Sequence, residues 1–401
     1  MPYKLAKFTL FSGPVKSRKT FHAVRVLNSA RASGFKHNGN FLVVKHPMDD
    51  VGSPGKIGGH EAYVLEHPNG IAELITDETR AILISGISHF KKEEGIVDLV
   101  DSLVRSGRNV IGYGLNLDSE GWPYGSMADL MAISDDVKVL KAICGDGFCE
   151  LPAGRSIKID RDYEPRCVTH FSKQGGRPRH GKLMVKTGPM YVGKTTTLGD
   201  LVAEEELRQN EFMVFNYAAD NRYSETGKCA THDRAEFDSI GVTNGQEVYD
   251  RVIRNPNVKT VFIDESQFIG LKDEPLKGLY MPVHNLLSEG YDIVVFGLAR
   301  TYNRKRFGET SALMCLADEV EVMYGICVDC KNHPSTESQR MIHIKGKSSI
   351  PAPFEGEIEV VGGAEDLGRE VFYRSVCLRD LKFDGASYGD NRYNGRFNQL
   401  E

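Results

Sequence analysis

A phosphate-binding loop constrains a fold more than any other short pattern. It needs a strand before it, a helix after it and a largely parallel sheet around it. This sequence carries the pattern twice. "TGPMYVGKTT", Thr187 to Thr196, meets G-x-x-x-x-G-K-[ST] in full, whereas "SGPVKSRKTF", Ser12 to Phe21, has Arg18 where the second glycine belongs. At that position a side chain stands where the loop needs bare backbone, so the first copy is expected to be spoiled.

Setting one loop over the other brings further pairs into line. "KFTLFSGPVKSRKTFHAVRVL" lies over "KLMVKTGPMYVGKTTTLGDLV", and "AILISGISHF" over "TVFIDESQFI". The stretch from Asn109 to Cys144 then matches that from Asp292 to Cys327. Order and separation are kept, and glycines, aromatics and cysteines coincide, so one unit of about two hundred residues is duplicated. Strands alternating with helices imply an α/β fold, with two tandem P-loop (RecA-like) parallel-sheet domains. The seam is expected near "SKQGGRPRHGK", Ser172 to Lys182. The expected domains are 1–173 and 181–383, with residues 384–401, polar and aperiodic, as a flexible tail.

The intact copy carries chemistry. "KLMVK" precedes it as a strand and "TTTLGDLVAEEELRQ" follows as a helix. The turn formed by Gly188, Pro189, Met190, Tyr191, Val192 and Gly193 would face its N–H groups toward phosphates. Lys194 would neutralise their charge, and Thr195, followed by Thr196, would hold Mg²⁺ through its hydroxyl. A second acidic group is needed at the end of another strand, and "TVFIDE" supplies Asp264 and Glu265. Asp264 suits the metal side, leaving Glu265 as general base. Alone, such a pair would be a solvated strand end; beside a complete loop it reads as catalytic. In the first copy Ser85 and Gly86 stand near the positions of the two acids, so neither metal ligand nor base is expected there.

Eight cysteines are too few for a disulfide scaffold, and their clustering points to metal. Cys144, Cys149, Cys167 and His170 form one candidate zinc set, and Cys327, Cys330, Cys377 and Asp380 another. Each would pin a small zinc-ribbon or lasso subdomain, although buried free thiols are the plainer alternative. Aspartate is the less usual fourth ligand. Cys229 and Cys315 have no sequence partners. A net charge of -5 argues against a nucleic-acid surface, and no apolar run approaches membrane-spanning length. A cytoplasmic protein, without membrane or nucleic-acid partners, is expected.

From Gly181 to Leu381 the chain resembles the zinc-containing thymidine kinase family. The shared motifs are "GPMYVGKTT", "ADNRYSETGKCATHD", "FIDESQF", "RTYNRKRFG", "CVDC" and "EVVGGAEDLGREVFYRSVC". The first half looks like the same family through "GLNLDSEGWPYGSMADL" and "LKAIC". The resemblance implies transfer of the ATP γ-phosphate to the 5′-hydroxyl of thymidine, with ATP, Mg²⁺ and structural Zn²⁺ as cofactors. It puts Asp220 and Arg222 at the metal and phosphate side. Met190 would touch the nucleoside, with Phe268, Leu298, Tyr302, Phe307 and Tyr373 around the base. Backbone groups of Ile358 and Val360 would meet the base edge within a lid.

The sequence departs from the family at Asp380, at Arg306 and in the long polar segment from Lys331 to Gly356, which weakens thymidine more than phosphoryl transfer. A kinase for another or modified pyrimidine nucleoside, or a non-catalytic nucleotide-binding regulatory protein, therefore remains an alternative. The first half, as an inactive pseudo-kinase, is expected to stand in for a neighbouring subunit, so that a homodimer of tandem chains mimics a tetramer.

Overall fold

The computed structural model describes residues 6–36, 39–49, 54–146, 149, 152–159, 162–167, 170, 181–218, 228–230, 236–270, 278–344, 348–356 and 369–384. The chain divides into two compact units, Met1–His180 with Met314–Val320 and Gly181–Leu313 with Glu321–Glu401.

In the first unit six strands form one parallel sheet, in the spatial order Tyr63–Val64, Phe41–Lys45, Ala81–Ser85, Asn109–Gly114, Phe8–Ser12, Asp136–Val139. In the second unit the order is Ile240–Val242, Phe212–Tyr217, Thr260–Ile263, Asp292–Gly297, Leu183–Thr187, Glu319–Val322. Counted along the chain, both sheets read third, second, fourth, fifth, first, sixth. The duplication is therefore topological as well as sequential. The runs FLVVK and AILIS are buried at every position, as strands covered on both faces must be.

The cores repeat in detail. Under the helix Lys19–Ala32 lie Ala23, Leu27, Val43, Leu83 and Tyr113. Under Lys194–Leu207 the same places hold Leu198, Val202, Val214, Phe262 and Phe296. Fully burying such a side chain contributes about 1.5–3 kcal/mol, so these contacts fix each helix on its sheet and aim its first turn at the loop. Packing elsewhere follows the same spacing. In Ile96–Arg105 the buried residues are Ile96, Leu99, Val100, Leu103 and Val104, one apolar stripe at helical period.

Beyond each sheet the chain forms antiparallel hairpins. Arg155–Ile159 pairs with Asp162–Arg166 in the first unit. In the second, Glu337–Ile344 pairs with Arg369–Val376 and with the short strand Ile350–Pro351. Each hairpin lies next in sequence to a cysteine cluster, which matches the expected small subdomain. No helix among the described residues is long and apolar enough to cross a membrane.

Candidate active site and metal clusters

The second unit places its loop between the strand Leu183–Thr187 and the helix that begins at Lys194. Its two glycines answer different needs. Gly188 has φ +150°, and a Cβ there would fall 2.3 Å from the Met323 carbonyl oxygen. Gly193 has φ +83°, and its Cβ would meet nothing within 4 Å. The first glycine is demanded by the protein's own backbone. The second faces open space, where a ligand can approach. The Lys194 ammonium donates to the carbonyls of Gly188 (3.1 Å) and Pro189 (2.7 Å), which holds it across the mouth of the loop. Met190 is tied by its own N–H to the Ser338 hydroxyl at 3.0 Å, linking loop to hairpin.

The two acids follow the strand Thr260–Ile263, separated from the loop strand by Asp292–Gly297. Both therefore sit at the C-terminal edge of a parallel sheet, where such sheets bind ligands. Asp264 is only 3% exposed, and its carboxylate accepts the Glu265 N–H at 2.8 Å. Glu265 takes φ +50°, a left-handed conformation that turns its side chain off the strand line. Gln267 donates to the Glu265 carboxylate and accepts the Leu298 N–H at 2.8 Å. One buried amide thus positions both the candidate base and the segment carrying Leu298. Sequence reasoning missed Gln267, although its place two residues after Glu265 was a usable signal.

Three aromatic rings stand beside the acids. Phe268 packs against Tyr217 at 5.7 Å and edge-on to Phe307 at 5.3 Å. Tyr302 is buried, with Arg340 over its ring and its hydroxyl donating to the Pro353 carbonyl at 2.9 Å. Asn303 adds a bond to the Phe354 carbonyl at 2.8 Å, so the 301–307 loop is fastened to residues 353–354. Tyr373 is half-buried on its hairpin strand, opposite Arg340. Asp220, Arg222, Ile358 and Val360 lie outside the described residues. A buried ion cluster at the root of the hairpin was not foreseen: Glu337, 1% exposed, pairs with both Arg300 (2.9 Å) and Arg304.

Lys194, Thr195 and Asp264, with the open side of Gly193, form a donor set suited to a metal–triphosphate. Both expected zinc sets also come together. In each, the four ligand atoms lie within 4.8 Å of one another. A tetrahedral zinc with Zn–S near 2.3 Å requires sulfurs about 3.8 Å apart. Cys149 to Cys167 and Cys330 to Cys377 are both 3.8 Å. His170 Nδ1 lies 3.5 Å from Cys144 and 3.4 Å from Cys167, while the Asp380 carboxylate lies 3.3 Å from Cys327 and 3.2 Å from Cys377. The residues fit zinc. His333, three residues after Cys330, adds its Nδ1 at 3.3 Å from that sulfur. The Cys330 thiol is lowered to about 7, first by the Asn332 N–H, against burial and with help from His333. A thiol so shifted favours the thiolate that a metal needs.

The first unit corrects one expectation. Arg18 does not spoil its loop: it adopts φ 62°, ψ 25°, close to the φ 83°, ψ 21° of Gly193. Lys16 (φ 58°) likewise follows Tyr191 (φ 62°), and Lys19 donates to the Gly13 and Pro14 carbonyls as Lys194 does to Gly188 and Pro189. The side chain at Arg18 is tolerated because that position opens outward in both copies. A carboxylate does stand beside the replaced acids, since Ser85 donates to Asp49 at 2.5 Å. Asp49 sits just past the end of the strand Phe41–Lys45, a place that sequence overlay of the loops alone did not reveal.

Comparison with known proteins agrees with this geometry. The thymidine kinase family profile matches twice, over residues 6–170 and 181–380. The cytosolic thymidine kinase of Gallus gallus is 30% identical over 202 residues, which is 50% of this chain and 77% of that protein. The thymidine kinase of Pseudothermotoga lettingae is 33% identical over 210 residues, 52% of this chain and 99% of that protein.

Proposed function

Because the chain belongs to the thymidine kinase family, we propose that its second unit transfers the ATP γ-phosphate to the 5′-hydroxyl of thymidine. The observation that carries this reading is the pairing, within one unit, of a complete phosphate loop with Glu265 held in place by Gln267. Lys194 binds and orients the phosphate chain. Thr195 and Asp264 would hold Mg²⁺, which supplies charge neutralisation when bound. Glu265 takes the proton from the attacking hydroxyl, and Gln267 keeps its carboxylate aimed during the transfer. Phe268 and Phe307 offer an apolar wall for an uncharged pyrimidine, with Leu298 alongside. Met190, Tyr302 and Tyr373 anchor or border that slot, and Tyr302 also ties down the 353–354 segment. Asp220, Arg222, Ile358 and Val360 complete the assignment as phosphate-side and base-edge groups.

In this reading the first unit transfers nothing, because Gly86 stands in place of Glu265. It would take the place of a kinase neighbour, so that two chains present four units; light scattering should give the mass of two chains, and a lone chain would refute that part. The functional test is phosphate transfer from ATP across a panel of deoxynucleosides, with Glu265→Gln as control. Thymidine should be the best substrate. Glu265→Gln should lower kcat by about 10²–10⁴-fold while nucleotide binding persists, in keeping with loss of a general base. Undiminished turnover in that variant would remove Glu265 from the mechanism. Turnover of no nucleoside by the wild-type chain would remove the kinase reading.

A further inference from the structure

The first unit keeps the architecture of a nucleotide site and its loop lysine while changing other charges around it. Its loop reproduces the fold of the second loop down to the N–H of the third residue. Val15 donates to Ser156 at 3.0 Å, as Met190 does to Ser338. Where the second loop has Tyr191 and Gly193, the first has Lys16 and Arg18, both exposed. Where the second site has Asp264 and Glu265, the first has Ser85 and Gly86. Two cations are gained and two carboxylates lost. Lys19 remains across the mouth of the loop, with Ser17 Oγ 3.3 Å away.

This pattern has a chemical meaning. A phosphate chain in the second site needs a divalent ion partly because two carboxylates stand there. Without them, Lys16, Arg18 and Lys19 can neutralise phosphate oxygens directly through charge-assisted hydrogen bonds. Asp49 is retained nearby, its carboxylate already accepting from Ser85, and Glu66 and Glu94 also act on His46.

A second observation, from three other elements, also points to a ligand. The aromatic trio Tyr217, Phe268 and Phe307 is replaced by His46, His89 and Tyr124, in the same arrangement. His46 stacks on His89 at 5.4 Å, and His89 meets Tyr124 edge-on at 5.3 Å. His46 is 7% exposed, and its Nδ1 accepts the Met48 N–H at 3.1 Å, which places the ring proton on Nε2. That Nε2–H has no partner among the described residues. His89 spends Nδ1 on the Tyr124 hydroxyl at 3.1 Å and likewise leaves Nε2 unpartnered. Neither Nε2 is sealed from solvent, and His89 is only half-buried, so both ring nitrogens are open to an incoming ligand. Here they line the place where the second unit would hold a base. Gly86 cannot be enlarged to restore a catalytic acid, since its Cβ would lie 2.7 Å from Asp49 Cβ and 3.1 Å from His46 Cβ.

We propose that the first unit is a second nucleotide site, in which Lys16, Arg18 and Lys19 bind the phosphates without a divalent ion. The base lies against His46, His89 and Tyr124, with the two Nε2 atoms meeting its polar edge. No phosphoryl group moves there.

The test is calorimetric titration of the full chain with ADP in excess EDTA, using Lys194→Ala to silence the second loop. One equivalent of ADP is expected to bind. Replacing Lys16 and Arg18 by their second-loop counterparts, Lys16→Tyr with Arg18→Gly, should weaken that binding at least tenfold. Both positions are exposed, so this variant carries the decision even if Lys19→Ala fails to fold. His89→Phe should weaken ADP at least fivefold and leave inorganic pyrophosphate unaffected, because pyrophosphate lacks a base. Absence of ADP binding in EDTA overturns the proposal. Equal affinity in the Lys16/Arg18 double variant overturns the role of those cations, and pyrophosphate binding as tightly as ADP overturns the base platform. Thymidine turnover by the wild-type chain is measured separately, so failure here and failure of the kinase reading are distinct results.

Discussion

Replacing each loop glycine by alanine should separate the glycine the fold needs from the glycine the ligand needs. At Gly188 the added methyl would overlap the Met323 carbonyl oxygen at 2.3 Å, on a backbone at φ +150°. Backbone strain of about 1–3 kcal/mol and overpacking of similar size together give a loss of about 4 kcal/mol. At Gly193 the methyl meets no atom within 4 Å. Only the left-handed conformation is penalised, by about 1–2 kcal/mol, and the stiffer unfolded chain offsets part of that, leaving about 1 kcal/mol. Arg18 at φ 62° shows that this backbone accepts a side chain. For a unit of this size 1 kcal/mol moves the midpoint by about 2–4 °C, so Gly188→Ala should melt about 12 °C lower and Gly193→Ala about 3 °C lower. Turnover should follow a different order. The Gly193→Ala methyl projects toward the side from which the phosphate chain approaches. In a site that must hold the γ-phosphate in line for transfer, a displacement of about 1 Å costs about 10²-fold in turnover, a demand that a site binding without transfer does not make. Scanning calorimetry and thymidine phosphorylation on the same preparations provide the two readouts. The reasoning is refuted if Gly193→Ala melts as low as Gly188→Ala, or if it turns over at the wild-type rate.

The Arg300–Glu337–Arg304 cluster fastens the loop beside the candidate base slot to the root of the hairpin. Glu337→Gln leaves two guanidinium groups without their shared counter-charge and should destabilise by about 3–5 kcal/mol in urea unfolding; a loss below about 1 kcal/mol would show that the cluster is solvated. Both cysteine clusters should hold zinc. Metal analysis of the purified chain is expected to find one ion for each cluster, Asp380→Ala should remove one of them, and chelation should lower the melting temperature because the metal's binding energy is folding energy. A zinc content that Asp380→Ala leaves unchanged would exclude the aspartate as a ligand.

Much of this molecule was legible along the chain. The strand–loop–helix order, the duplication and the two sets of metal ligands are local patterns. Each depends on residue type at a fixed spacing, and Cys144 to His170 or Cys327 to Asp380 close up because short hairpins return the chain to its starting point. Arg18 was misjudged for a reason that spacing cannot reveal. A left-handed residue with an open outer side accepts a side chain, and only the fold shows which side is open. Gln267, Glu337 and Asp49 were missed because their importance comes from what faces them. Their partners Leu298, Arg300 with Arg304, and Ser85 lie on other elements, 31, 37 with 33, and 36 residues away.

The sequence by itself determined that two α/β units would form, that one would hold a complete phosphate loop, and which cysteines would meet. These follow from backbone conformational limits and hydrophobic period, which act over a few residues at a time. Tertiary structure alone decided that the altered loop keeps the shape of the intact one, and that His46, His89 and Tyr124 gather in the ring arrangement of Tyr217, Phe268 and Phe307. Side-chain charge and ring position at a cleft are set by packing between distant strands, and that packing exists only once the sheet has closed.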